Sequence, residues 1–130
     1  MQAIIATITF LFLDALWLGF VGKQFYLDEI GHMMRMSDGT AQPLWPAAIV
    51  VYLALIGGIL VFVLPKANGN LLSALLYGGL FGLVTYATYD FTNLATLNNW
   101  SIKISFIDTV WGMVLCGTTA CLTAWLSRLL

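Results

Sequence analysis

The sequence predicts an all-α integral membrane protein, a bundle of four transmembrane helices with a short interfacial helix between the first two. Three observations carry this. Charged residues make up only 8% of the 130 residues, whereas soluble domains carry about 25%. Four apolar runs, at about residues 3–22, 45–64, 71–89 and 106–126, approach or exceed the ~20 residues a helix needs to cross a hydrocarbon core. The largest cluster of charge falls between the first two runs, at residues 23–42. Residues 1–130 are therefore expected to form a single transmembrane domain.

The first run is apolar except for Thr7, Thr9 and Asp14. It lacks the basic segment and the small-residue cleavage site of a secretory signal, so it reads as a retained span. In residues 23–42, Leu27, Ile30 and Met34 recur at helical spacing opposite Asp28, Glu29, His32 and Arg35, the pattern of a helix lying in the interface. Ser37-Asp38-Gly39 is expected to break it. Pro43 and Pro46 stand where a new helix would begin, since proline in the first turn forfeits no hydrogen bond. After the second span, Asn68-Gly69 tolerates positive φ and predicts a tight turn, which makes spans two and three antiparallel neighbours. Span three carries Gly78 and Gly82, a small-xxx-small pair that admits close approach of another helix and offers a surface for a homodimer. Ser105-Phe106-Ile107-Asp108 has the form of a capping box and is expected to open span four.

A net charge of −1 provides no basic field, so nucleic acid is not an expected partner, whereas membrane lipid is. Cys116 and Cys121 have neither CxxC nor metal-ligand spacing and read as small packing residues. His32 is the only histidine and reads as a solvated side chain. No cofactor is implied. Trp45, Trp100 and Trp125, near span ends, suit an interfacial belt. Lysine and arginine divide almost evenly between the two sides and do not set an orientation, but an even number of spans places both termini on one side.

Ionisable groups in hydrocarbon are costly, which directs attention to the polar residues of the spans. Thr7, Phe10, Asp14 and Trp17 share one face of span one, and Asp108, Trp111, Gly112, Leu115 and Thr119 share one face of span four. Span three aligns Gly79, Gly82, Tyr86, Asp90 and Asn93. Topology then gathers all three aspartates toward one leaflet, with Asp14 deepest, roughly 12 Å from its helix end, and the other two within about a turn of the surface. Three clustered carboxylates in low dielectric cannot all stay ionised and would titrate as a set. Trp17, Tyr86, Tyr89, Asn93 and Trp111 would supply donors and aromatic faces, so the expected pocket suits a cation. Two duller roles stand beside this one: Asp108 as a helix cap and Asp90 as an end anchor for span three.

Leu13-Asp14-Ala15-Leu16-Trp17-Leu18-Gly19, Phe25-Tyr26, the stretch from Tyr86 to Ala95 with its Tyr-x-x-Tyr-Asp-x-Thr-Asn pattern, Trp100, and Asp108-Thr109-Val110-Trp111-Gly112 together resemble the signature of a bacterial family of predicted four-span membrane proteins described as a domain of unknown function. The resemblance covers nearly the whole chain. It implies a compact four-helix unit in the bacterial inner (cytoplasmic) membrane, and it brings no assigned activity.

Three function classes follow. The first is a carrier or binding protein for a small cationic or amphipathic molecule, in which guest occupancy alternates with protonation; in architecture alone this resembles small multidrug exporters. The second is a membrane-embedded enzyme acting on lipid, against which stands the lack of a nucleophile beside a base or of a histidine cluster. Its metal version would use Mg²⁺ or Ca²⁺ held by the three aspartates. The third is a non-catalytic assembly subunit whose polar residues join helices.

Overall fold

Backbone amides in a bilayer must find partners within their own segment, and the four apolar runs meet this requirement as continuous helices. The computed structural model describes residues 1–130. Helix α1 (Gln2–Val21) crosses first and is followed by α2 (Lys23–Ile30). A two-residue hairpin comes next, β1 (Met36–Ser37) paired antiparallel with β2 (Thr40–Ala41). The remaining spans are α3 (Trp45–Ala67), α4 (Leu71–Thr96) and α5 (Ile102–Leu129). All four spans are long and apolar enough to cross a membrane.

Local chemistry explains most boundaries. Pro46 sits in the first turn of α3. Asn68 and Gly69 both take positive φ, at 48° and 76°, and close the α3–α4 turn. Asn70 then caps α4, its side chain accepting from the Ser73 amide at 2.8 Å.

Several boundaries differ from the expected ones. Helix α2 stops at Ile30, and after a single 3₁₀ turn the backbone is extended at Met34, so Met34 does not extend an apolar helical face. Asp38 and Gly39, both at positive φ, form the hairpin turn rather than a helix stop. Helix α4 continues to Thr96, well past Tyr89, because its threonines are satisfied locally. Thr88 donates to the Val84 carbonyl at 2.6 Å and Thr96 to that of Thr92 at 2.8 Å. Asp90 is thus an interior residue rather than an end anchor. Helix α5 begins at Ile102, capped by Ser101, whose Oγ accepts from the Ile104 amide at 3.1 Å. The expected capping box is therefore not one: Ser105 turns back to the Ser101 carbonyl at 3.0 Å, and Asp108 lies inside the helix.

Helix α5 is the centre of the bundle, supplying 12 of the 28 buried residues. Phe10 of α1, Ile59 of α3 and Leu115 of α5 are completely buried in the shared core. Helix α4 lies closest to α5, through glycine. A Cβ at Gly78 would come within 2.7 Å of the Cys116 carbonyl oxygen, and one at Gly82 would overlap the backbone of Gly112. The Gly78/Gly82 face expected to receive a second copy is therefore occupied by α5 of the same chain, and a homodimer would have to use another surface. Helix α3 packs unevenly. Its second half reaches the core through Ile59, Val63 and Leu64, while Trp45, Ile49, Val50 and Leu53 of its first half are exposed. That first half stands off α4 and leaves a cleft.

Candidate functional site

The cleft is a cavity of about 490 Å³ lined from all four spans. Asp14 and Leu18 come from α1, Ala48, Val51, Tyr52 and Leu55 from α3, Thr85, Tyr86 and Tyr89 from α4, and Asp108 and Trp111 from α5. Its walls are apolar and aromatic, with two carboxylates set into them. Asp14 lies seven residues from the end of α1, and Asp90 and Asp108 six residues from theirs, so all three sit at similar depth, about 10 Å in. The expected funnel, deepest at Asp14, is replaced by a level ring, because α4 and α5 are longer than their apolar runs suggest.

Each cavity carboxylate is held by donors from other helices. Asp14, 6% exposed, accepts from the Tyr52 hydroxyl at 2.9 Å and from the Trp111 indole at 3.2 Å. Asp108 accepts from the Tyr26 hydroxyl at 2.6 Å, and that hydroxyl in turn accepts from the Trp17 indole at 3.0 Å. Trp17 and Trp111 stack face to face, with centroids 4.7 Å apart and planes 11° from parallel, which joins the two halves. No lysine, arginine or histidine takes part. The one ion pair, Lys103 with Glu29 at 4.0 Å, lies outside the cavity, where Ser101 also donates to Glu29.

Helix α2 supplies Tyr26 to the Asp108 half of the site. Tyr26 lies outside the spans, and burial followed by the Asp108 charge pushes its hydroxyl well above the ordinary tyrosine range. It therefore stays protonated and remains a donor to Asp108. Tyr26→Phe would strip Trp17 of its acceptor and Asp108 of its donor. The expected cost is about 1–3 kcal/mol for the polar groups left without partners, seen as a lower Tm of the detergent-solubilised protein. An unchanged Tm would show that the two groups find other partners.

Asp90 sits apart. Fully buried between α4 and α5, it does not line the cavity; its Oδ2 accepts from the Thr109 hydroxyl of α5 at 3.4 Å, and its Oδ1 has no partner. Asn93 also falls outside the cavity. Of the eight expected site residues, Asp14, Tyr86, Tyr89, Asp108 and Trp111 line the cavity, and Trp17 backs it through its stack on Trp111. The three aspartates do not converge as a metal site, nor does any other group of three or more His, Cys, Asp or Glu side chains.

Tyr26 and Tyr52 were not among the expected site residues. Tyr52 left a usable signal, being the only hydrogen-bonding side chain between Trp45 and Lys66 in an otherwise apolar span. Tyr26 left none at helical spacing, because its role depends on α2 folding back over α5.

Compared with known proteins, residues 1–125 match the family described as "Predicted membrane protein (DUF2177)". No curated protein and no solved structure matches the chain.

Proposed function

The chain belongs to the Predicted membrane protein (DUF2177) family, and from the chemistry of its cavity we propose that it binds a small cationic, amphipathic molecule and exchanges it for a proton. The observation that carries this is a cavity of about 490 Å³ presenting Asp14 and Asp108 among Tyr52, Tyr86, Tyr89 and Trp111, with no protein cation to neutralise it. Paired carboxylates attract positive charge, and aromatic faces add cation–π attraction worth up to about 2 kcal/mol when desolvated. Apolar walls select a guest that also dissolves in lipid. The setting is the bacterial inner membrane, as the sequence resemblance implies. Transport would require the cavity to open in turn to both sides, and binding alone is the part the geometry supports best.

The test uses tetraphenylphosphonium, a hydrophobic cation, and detergent-purified full-length protein, with binding read by equilibrium dialysis. Saturable binding is expected, with tetraphenylborate, its anionic counterpart, excluded. Unit charges about 4 Å apart interact by roughly 4 kcal/mol at an effective dielectric of 20. After the cost of desolvation, Asp14→Asn should still weaken the cation at least about tenfold, equivalent to ~1.4 kcal/mol. Equal binding of both ions, or an unchanged affinity in Asp14→Asn, would refute the reading.

A second reading, a non-catalytic assembly subunit, draws on one observation: Asp14 joins α3 and α5 through Tyr52 and Trp111. In that case Asp14→Asn lowers Tm and no cation raises it again.

A further inference from the structure

Helix α3 is joined to the bundle by only one of its halves. Every other span buries residues in both halves of its length. In α3 no residue from Trp45 to Leu55 is buried, whereas Ile56, Gly58, Ile59, Val63, Leu64 and Ala67 all are. The first half also stands free on both flanks. The cavity described above separates it from α4. A second cleft, of about 410 Å³, separates it from α1, with Ala3 and Leu11 on one side and Ile49 and Leu53 on the other. Tyr52 borders both spaces.

The junction between the halves has the make-up of a hinge. Ile59–Val63 form a single π-helical turn, a feature at which helices bend and which recurs at functional sites. Just before it, a Cβ at Gly57 would meet nothing within 4 Å, while one at Gly58 would overlap the tip of the Phe81 ring. Gly58 is thus where α3 bears on α4. Ahead of that point a single side-chain hydrogen bond ties the free half to another helix, from the Tyr52 hydroxyl to Asp14 of α1 at 2.9 Å. The Tyr52 ring supports it edge-on to Phe10, with centroids 6.1 Å apart. We propose that residues 45–58 are a gate over the cavity: an arm hinged at the π turn, held open by Tyr52 latched on Asp14, which closes against α4 when the latch releases.

The latch draws the arm toward α1, which is what keeps it off α4. Once it is free, Val51 and Leu55, which line the cavity from the arm, can pack on α4, and packing is what draws helices together in a membrane. The swing uncovers little, because the arm has no buried residue before Ile56. Asp14 retains the Trp111 indole as a donor throughout. Asp14 therefore has two tasks, since the carboxylate that presents charge to the cavity also props the cavity open. The gate stands on the geometry of α3 alone; only the identity of what it admits rests on the cation-binding reading.

Double electron–electron resonance on purified full-length protein tests the gate. Nitroxides are attached through a ketone-bearing amino acid, which leaves Cys116 and Cys121 unmodified, at the exposed positions Val50 on the arm and Ala95 near the end of α4. Val50 lies about 12 Å along the helix from Gly58, so a 20° bend at the hinge carries it roughly 4 Å. One separation is expected in wild type, and a population about 4 Å shorter in Tyr52→Phe, which keeps the ring and loses the hydroxyl. A second pair, Phe62 with Ala95, reports from beyond the hinge and should not change. Absence of the shorter population in Tyr52→Phe overturns the gate, and so does an equal change in the Phe62 pair, which would mean general loosening. Adding Val51→Trp to Tyr52→Phe fills the space between α3 and α4 and should restore the wild-type separation; failure to do so would mean that the arm moved elsewhere. Saturating tetraphenylphosphonium should likewise reopen Tyr52→Phe, and a bound cation that leaves the short population in place overturns the closure. If the cation does not bind even wild type, the cation-binding reading falls, while the spin-label separations still decide the gate.

Discussion

Gly82→Ala is expected to cost about 3 kcal/mol or more, the upper end of what overpacking a well-filled interior costs, and to leave little folded protein in detergent at moderate temperature. Alanine is ordinarily the better helix former by ~1 kcal/mol, so the sign of the change tests the packing directly. The added methyl would overlap the Gly112 carbonyl and the amide beyond it, which are backbone atoms that cannot turn aside as a side-chain tip would. Either α4 moves away from α5 or one helix bends. Two controls bracket the effect. At Gly79 the nearest atom to a new Cβ is 3.8 Å away, and at Gly57 nothing lies within 4 Å, so alanine at either site should leave Tm unchanged or raise it. The check is a thermal unfolding series on the three variants. Similar Tm values for all three would mean that the α4–α5 contact is not tight.

Gly112→Ala carries the second large effect, and it reaches the cavity. Here the new methyl would overlap the root of the Tyr86 side chain at Cβ, Cγ and Cδ1, so rotating the ring about its own axis offers no escape. Tyr86 is a cavity wall, and displacing it reshapes the space between Asp14 and Asp108. The expected result is a loss of about 1–3 kcal/mol in stability together with loss of saturable tetraphenylphosphonium binding. Gly112→Ala with Tyr86→Gly should regain part of that stability, because only removal of the Tyr86 Cβ together with its ring vacates the space the methyl needs. If the double variant proves no more stable than Gly112→Ala alone, the clash lies elsewhere.

How much of this could be read from residues alone depended on whether a feature was local. Apolar runs, the Asn68-Gly69 turn and the inward aspartate faces follow from composition and from helical periodicity, and each is present. Helix ends were harder, because Ser105 and Asp108 make a cap-like pattern that tertiary contacts override. Ser101 starts α5, and Asp108 is committed to Tyr26, 82 residues away in sequence. The extension of α4 through Thr92, Asn93 and Thr96 was hidden for a similar reason. Those polar residues look like an exit from the membrane until the Thr96 hydroxyl is seen bonding to its own helix. The glycine pair at 78 and 82 announced a close helix neighbour but not which helix, since small residues serve intramolecular and intermolecular contacts alike. Tyr26 and Tyr52 show the same limit: a donor's chemistry is visible in sequence, and its acceptor is not.

If the cavity binds a guest as proposed, the separation of the first half of α3 from α4 alters how that recognition must be reckoned energetically. The cleft it leaves is bordered by exposed Leu18, Val51 and Tyr89, and on the cation-binding reading proposed above its guest enters from lipid. An oily guest arriving there merely trades one hydrocarbon contact for another, since lipid tails are as apolar as leucine. Discrimination then rests on the small polar share of the lining, so potency across a series of guests should track charge and ring geometry rather than size or greasiness.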